Sequence, residues 1–361
     1  MSAARVRLFA TAILLFSAPL LWSLDVSQGR IKLTLHEGIG RFSIAYLTDV
    51  KSGTFKSFLS DQDPRTSVLS VAVGNKVYRM GESSEFKETV QKTSDGAGFT
   101  WTSASLVATE AFTFTTSKGS PLADGIRIDL TLKNATDHEV NLGVRYLFDT
   151  YLGEQSYVHF KTDKVPQIDH ELTLTKADGA LYWISPLVGD PNQFGLMAML
   201  SGEGVSTPDR VVFANWKRLN EASWGYETSG SRTFSLLPYS VNDSAVCHYF
   251  DPKAVPAGGS LHIVTILGHY SPAGFAAQGA TPASVAEVNA VVTQQLEASK
   301  DIQDANVSVQ TDLSAVNRLI DSINAKLSSG QPITDQELAT MSQLIAELKE
   351  RSAKFKTSTS K

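Results

Sequence analysis

The sequence predicts a mainly β protein: a large antiparallel sandwich of two sheets, followed by a C-terminal α-helical hairpin with coiled-coil heptads. Three observations predict it. Apolar and polar residues alternate with period two through short runs between residues 30 and 269. Turn formers punctuate those runs, at Asp95-Gly96, Lys118-Gly119, Asn134 to Asp137, Asp178-Gly179 and Pro256 to Gly259. Beyond residue 282, glycine, proline and aromatic residues nearly vanish. At 361 residues the chain exceeds one average domain, so a large domain plus an appendage is expected.

The first element is a signal peptide over 1–24. Arg5 and Arg7 precede an apolar run from Leu8 to Trp22, and small Ser23 follows. That run is shorter than the ~20 residues a spanning helix needs. Cleavage is expected near Ser23 or Leu24, with an uncleaved anchor as the alternative and the sole membrane contact. No cysteine lies near it, which excludes a bacterial lipoprotein, and no later stretch is long and apolar enough to span. A periplasmic or otherwise exported protein is expected. Cys247, the single cysteine, precludes an intramolecular disulfide and reads as a buried thiol. A net charge of -5 without a basic stripe excludes nucleic acid as a partner.

The sandwich domain is expected over 25–270. Ile31, Leu33 and Leu35 alternate against Arg30, Lys32 and Thr34, and "SVLSVAV", "GFTWTSA", "EAFTFTT" and "IRIDLTL" repeat the pattern. "ELTLT", "ALYWIS", "FGLMAML", "RVVFANW", "SAVCHYF" and "SLHIVTIL" follow. Helical patterns rarely intervene, which argues for antiparallel sheets packed face to face. About fifteen strands in ~245 residues exceed an immunoglobulin-type domain.

A linker is expected over 271–282, then the hairpin over 283–356 and a polar tail over 357–361. Thr281 and Pro282 suit an N-cap and first helical residue. Apolar residues then recur at a and d spacing, with Val285, Val292, Leu313 and Ile320 in one column and Val288, Ile302, Val309 and Val316 in the other. Thr334 and Glu337 form a capping box for a second helix. The first helix would reach ~69 Å and the second ~33 Å. The return helix thus leaves a seam of Val285, Val288, Val292, Gln295, Ser299 and Ile302 open to a protein partner or to self-association. The alternative is that the polar middle breaks the first helix in two.

"GVRYLFDTYLGEQSYVHF", residues 143 to 160, sets two charges in an apolar strand. Val144, Tyr146, Phe148, Thr150 and Leu152 share the expected core face; Arg145, Leu147, Asp149 and Tyr151 share the other. Arg145 and Asp149 lie ~13 Å apart along a strand, too far for an easy bond. A polar staple to the loop at 60–69 is expected, pairing Arg145 with Asp61 or Asp63 and Asp149 with Arg65 or backbone N–H groups. A ligand or metal site of Asp61, Asp63, Asp149 and Glu154 is the alternative.

No Gly-rich phosphate loop, H-E-x-x-H or G-x-S-x-G occurs. No catalytic residue, metal or cofactor is assigned. His262 and His269 should face opposite sides of their strand. Glu110, Asp149 and Glu154 are the acids to inspect for a carboxylate pair. "ANWKRLNEASWGYE" reads as a polar loop whose Trp216, Trp224 and Tyr226 could bind sugar.

"HEGIGRF", "DQDPRTS" and "VRYLFDTYLGE" resemble stretches of uncharacterised exported envelope proteins of spirochaetes, whose body is similar to the galactose-mutarotase-like supersandwich. The resemblance covers about 30–270. It implies a non-catalytic periplasmic β body, with mutarotase chemistry unassigned for want of a His and Glu pair. The expected function is therefore a structural or interaction protein that docks an envelope assembly, including the periplasmic flagellar apparatus, through its hairpin. The alternative is a carbohydrate-binding protein or glycan-active enzyme of mutarotase-like ancestry.

Overall fold

The computed structural model describes residues 23–275, apart from 50–51, 61–62, 155–157 and 191–192, together with Thr334, Leu338 and Ser342. The chain divides into two units, 1–288 and 289–361. In the second, the Leu338 N–H donates to the Thr334 carbonyl at 3.0 Å, a helical i to i+4 bond that begins at the expected cap. The rest of the hairpin, including the seam from Val285 to Ile302, lies outside the described residues. No described helix is long and apolar enough to cross a membrane.

The first unit is built from antiparallel strands, as the period-two pattern predicts, but they form three sheets rather than two. A four-stranded meander contains β1 (Ser23–Gln28), β2 (Ile31–His36), β3 (Arg41–Asp49) and β4 (Thr54–Ser57). β1 starts at Ser23 and pairs along its whole length with β2, so the expected cleavage point falls on a paired strand.

The largest sheet has eight strands. Its order is β12 (Lys161–Thr162), β14 (Tyr182–Pro186), β15 (Gly195–Met199), β18 (Ser260–His269), β10 (Gly125–Asn134), β9 (Leu106–Thr115), β8 (Gly96–Thr102) and β7 (Lys87–Lys92). The third has six: β13 (Leu172–Thr175), β16 (Arg210–Asn215), β17 (Ser244–Val255), β11 (Val140–Asp149), β5 (Val68–Val73) and β6 (Lys76–Arg79).

One core joins the three sheets. Ile31, Leu33 and Ile44 of the meander, Phe112, Ile126 and Ile128 of the large sheet, and Val144, Tyr146, Phe148 and Val246 of the six-stranded sheet all belong to it. His262 and His269 do face opposite sides of β18: one contacts Asp129, the other stacks on Tyr46. The body runs on past the expected linker boundary. Phe275 is buried and bridges to Ser117.

The six-stranded sheet is covered on both faces. Beyond the main core, Val68, Leu147, Val212, Cys247 and Tyr249 form a second cluster on its outer side. The helix α1 (Trp216–Glu221) packs there through buried Leu219. The expected polar loop "NWKRLNE" is thus a strand end and a helix. Asn215 caps that helix, accepting from the Arg218 N–H at 3.3 Å. Cys247 is buried as expected, and burial pushes its thiol pKa up.

Candidate functional site

The site lies where β11 ends and β17 begins. Asp149 closes β11 and pairs in register with Ala245, which brings Asp243 beside it just ahead of β17. A turn after β11 returns Glu154 to the same place, its N–H donating to the Tyr151 carbonyl at 3.3 Å. Gly153 makes this turn possible. A Cβ there would lie 2.4 Å from the Val158 carbonyl oxygen, so only glycine lets the two backbones approach. One carboxylate oxygen from each of Asp149, Glu154 and Asp243 then lies within 4.8 Å of the others.

Neutral donors frame the site. The Ser244 N–H donates to Glu154 Oε1 at 3.0 Å. Backbone bonds fix the frame: the Ser60 N–H donates to the Asp149 carbonyl at 3.0 Å, and the Asp149 N–H to Ser67 Oγ at 3.0 Å. Trp216 ties both sides together. Its N–H donates to the Asp243 carbonyl at 3.0 Å and its Nε1 to the Thr66 carbonyl at 2.9 Å.

No described lysine or arginine pairs with the three carboxylates, so burial and mutual repulsion govern their protons. Burial, then the charge of Asp243, pushes Asp149 up to about 7. Burial, then the charges of Asp149 and Asp243, pushes Glu154 up to about 8. Burial also raises Asp243. The cluster titrates as a unit across neutral pH. It can hold a proton beside a free carboxylate, and its hard oxygen donors are of the type that ligates Ca²⁺ or Mg²⁺.

The polar staple takes a different form from the one expected. Arg65 pairs with Asp63 at 2.9 Å on the surface, not with Asp149. Asp61 lies outside the described residues. Arg145 is buried and turns instead to α1, donating to the Leu219 carbonyl at 2.5 Å and to Tyr249 Oη at 3.2 Å. The segment expected to carry the staple does reach β11, but through Ser60 and Ser67. Sequence reasoning paired charges with charges; the fold satisfies them with carbonyls and hydroxyls.

Of the acids singled out in the sequence, Asp149 and Glu154 meet, while Glu110 is apart. It is sealed between sheets, accepts from Tyr146 Oη at 2.8 Å, and is pushed by burial to about 8. Asp243 was missed. Its only signal is an Asn-Asp turn before a strand. Trp216, Trp224 and Tyr226 are half-buried against the outer cluster rather than presented to solvent.

No protein-family model matches the chain, and no curated protein matches it in sequence. Among solved structures, it is similar to a galactose mutarotase related enzyme from Lactobacillus acidophilus, at 11% identity over 69% of this chain and 98% of that one, with a TM-score of 0.40. A galactose mutarotase-like protein from Lactobacillus casei matches at 9% identity over 69% of this chain and 100% of its own, with a TM-score of 0.41. A polysaccharide lyase matches at 12% identity over 68% of this chain but only 33% of its own, with a TM-score of 0.39. The expectation of a non-catalytic structural protein, and of no enzyme, is corrected here. The structures to which it is similar include a galactose mutarotase related enzyme and a polysaccharide lyase, and the body itself carries an acid cluster with no described cation beside it.

Proposed function

We propose that the chain is a glycan-active enzyme whose acid–base centre is Asp149, Glu154 and Asp243. The observation that carries this reading is three carboxylates within 4.8 Å of one another with no described cation beside them. Glycoside cleavage needs one carboxyl to protonate the leaving oxygen and another, ionised, to attack or to activate water. Retaining enzymes set the pair ~5 Å apart, which the cluster matches. Glu154, held near 8, is the group that keeps its proton at neutral pH and serves as the acid. Asp243, half-exposed beside it, is the carboxylate that faces substrate. Asp149 is buried behind them, and burial, with the Asp149 charge added to it, keeps Glu154 protonated. Export is part of the proposal and is supported by the basic and apolar N-terminal sequence.

The test is reducing-end release from a glycan panel by the full chain, followed by NMR across pH 5 to 9. Turnover should peak near neutral pH. Glu154→Gln should lower it at least about 100-fold with its circular dichroism unchanged. Turnover that survives in Glu154→Gln would refute the assignment.

A further inference from the structure

The most exposed large apolar side chains of the described residues sit within five positions of one loop. Leu237 is 74% exposed, Tyr239 72% and Val241 67%. Single exposed apolar residues are ordinary, whereas a contiguous set marks a contact surface. This loop is also held rigidly. The Leu236 N–H donates to the Ser240 carbonyl at 2.9 Å, and the Tyr239 N–H to the Leu236 carbonyl at 2.8 Å. Buried Asn215 anchors it from below, its Nδ2 donating to the Phe234 carbonyl at 2.7 Å, to Ser240 Oγ at 3.0 Å and to the Asp243 carbonyl at 3.0 Å. The Lys217 ammonium lies 5.4 Å from the centroid of the Tyr239 ring.

The lip is continuous with the acid centre. Ser240, between Tyr239 and Val241, shares one anchor with Asp243: Asn215 Nδ2 donates both to Ser240 Oγ and to the Asp243 carbonyl. An apolar, preordered ledge that ends two residues before a member of an acid–base cluster suits a sugar chain. A pyranose offers a C–H face to an aromatic ring while its hydroxyls stay in water, and a rigid ledge spares the ordering cost of binding. We propose that Leu237, Tyr239 and Val241 form a glycan-binding platform that extends the acid centre, so that the substrate is an oligosaccharide or polymer chain rather than a free monosaccharide. This rests on the glycan-active reading of the cluster. A lipid surface would also take apolar side chains, but it would press the half-exposed Asp243 toward anionic headgroups.

The experiment uses the full chain on a glycan array carrying gluco-, galacto-, manno- and N-acetylhexosamine series from mono- to hexasaccharide. Phosphatidylethanolamine–phosphatidylglycerol vesicles form a parallel arm. Wild type should bind longer members more tightly. Tyr239→Ala and Leu237→Ser should each lose about three- to tenfold on those longer members and nothing on the monosaccharide. Length dependence that persists in both variants overturns the platform and leaves the acid centre standing. Vesicle binding that is lost in Tyr239→Ala, with no glycan bound, overturns both readings.

Discussion

Two acidic centres touch α1, and only one of them is neutralised by described cations. At one, Glu171 is wholly buried and faces two arginines, Arg218 at 2.9 Å and Arg232 at 2.9 Å, with Tyr226 Oη and the Ser229 N–H as further donors. At the other, Asp149, Glu154 and Asp243 crowd together with a backbone N–H but no described cation. A buried charge that serves only the fold is expected to be paired, because an unpaired one costs several kcal/mol. Glu171 meets that expectation. The cluster departs from it, and departures of this kind mark sites of chemistry more often than sites of support.

The contrast can be broken by substitution. Glu171→Gln should be the most damaging change, since it leaves two arginines facing a neutral amide. We expect a loss of about 4 kcal/mol in urea unfolding at pH 7. A loss below about 1 kcal/mol would show that the pairing is incidental. Arg145→Ala should lose about 3 kcal/mol, from the empty space and from the stranded Leu219 carbonyl and Tyr249 hydroxyl. An unchanged melting temperature would count against its role as a strut between β11 and α1.

Removing charge from the cluster should act in the other direction and with a pH signature. Asp149 is raised from 3.8 to about 7 and Glu154 from 4.5 to about 8. Between about pH 4 and pH 8 the folded chain therefore holds protons that the unfolded chain releases. Stability from these groups is full at low pH and falls as pH rises through that window. Asp149→Asn should raise stability by about 1–2 kcal/mol at pH 8, nothing measurable at pH 4, and flatten the decline between. A wild-type profile that climbs from pH 5 to pH 8 would mean that these carboxylates are neutralised after all.

How far the sequence carries is best judged along β11. Alternation alone separates its two faces, and Val144, Tyr146 and Phe148 are in the main core as predicted. What alternation cannot show is that the second face is also covered. The cover comes from "NWKRLNE", whose lysine and arginine make it read as a solvent-facing loop. In the fold Asn215 caps it into a helix, and only Leu219 turns inward. The charged staple failed for the same reason, since Arg145 finds carbonyl and phenol partners that no charge count reveals. The additional sheet, the meander, was hidden because two of its four strands, β1 and β4, carry little alternation. At the site, Asp149 and Glu154 were visible as acids close in sequence. Their third member stands against a partner 90 residues away, as the Ser244 to Glu154 bond records, and only strand register brings it there.

Asn215 has a consequence for any attempt to re-engineer this molecule. A single amide holds the hairpin at 234–240, the backbone of Asp243 and the first turn of α1. Spacing between ledge and reacting groups is therefore one quantity rather than two. Grafting a longer or shorter loop at 235–241 would retune chain-length preference only if that amide kept all its partners. An aspartate in its place, though the same size, would surrender every donor and release both at once.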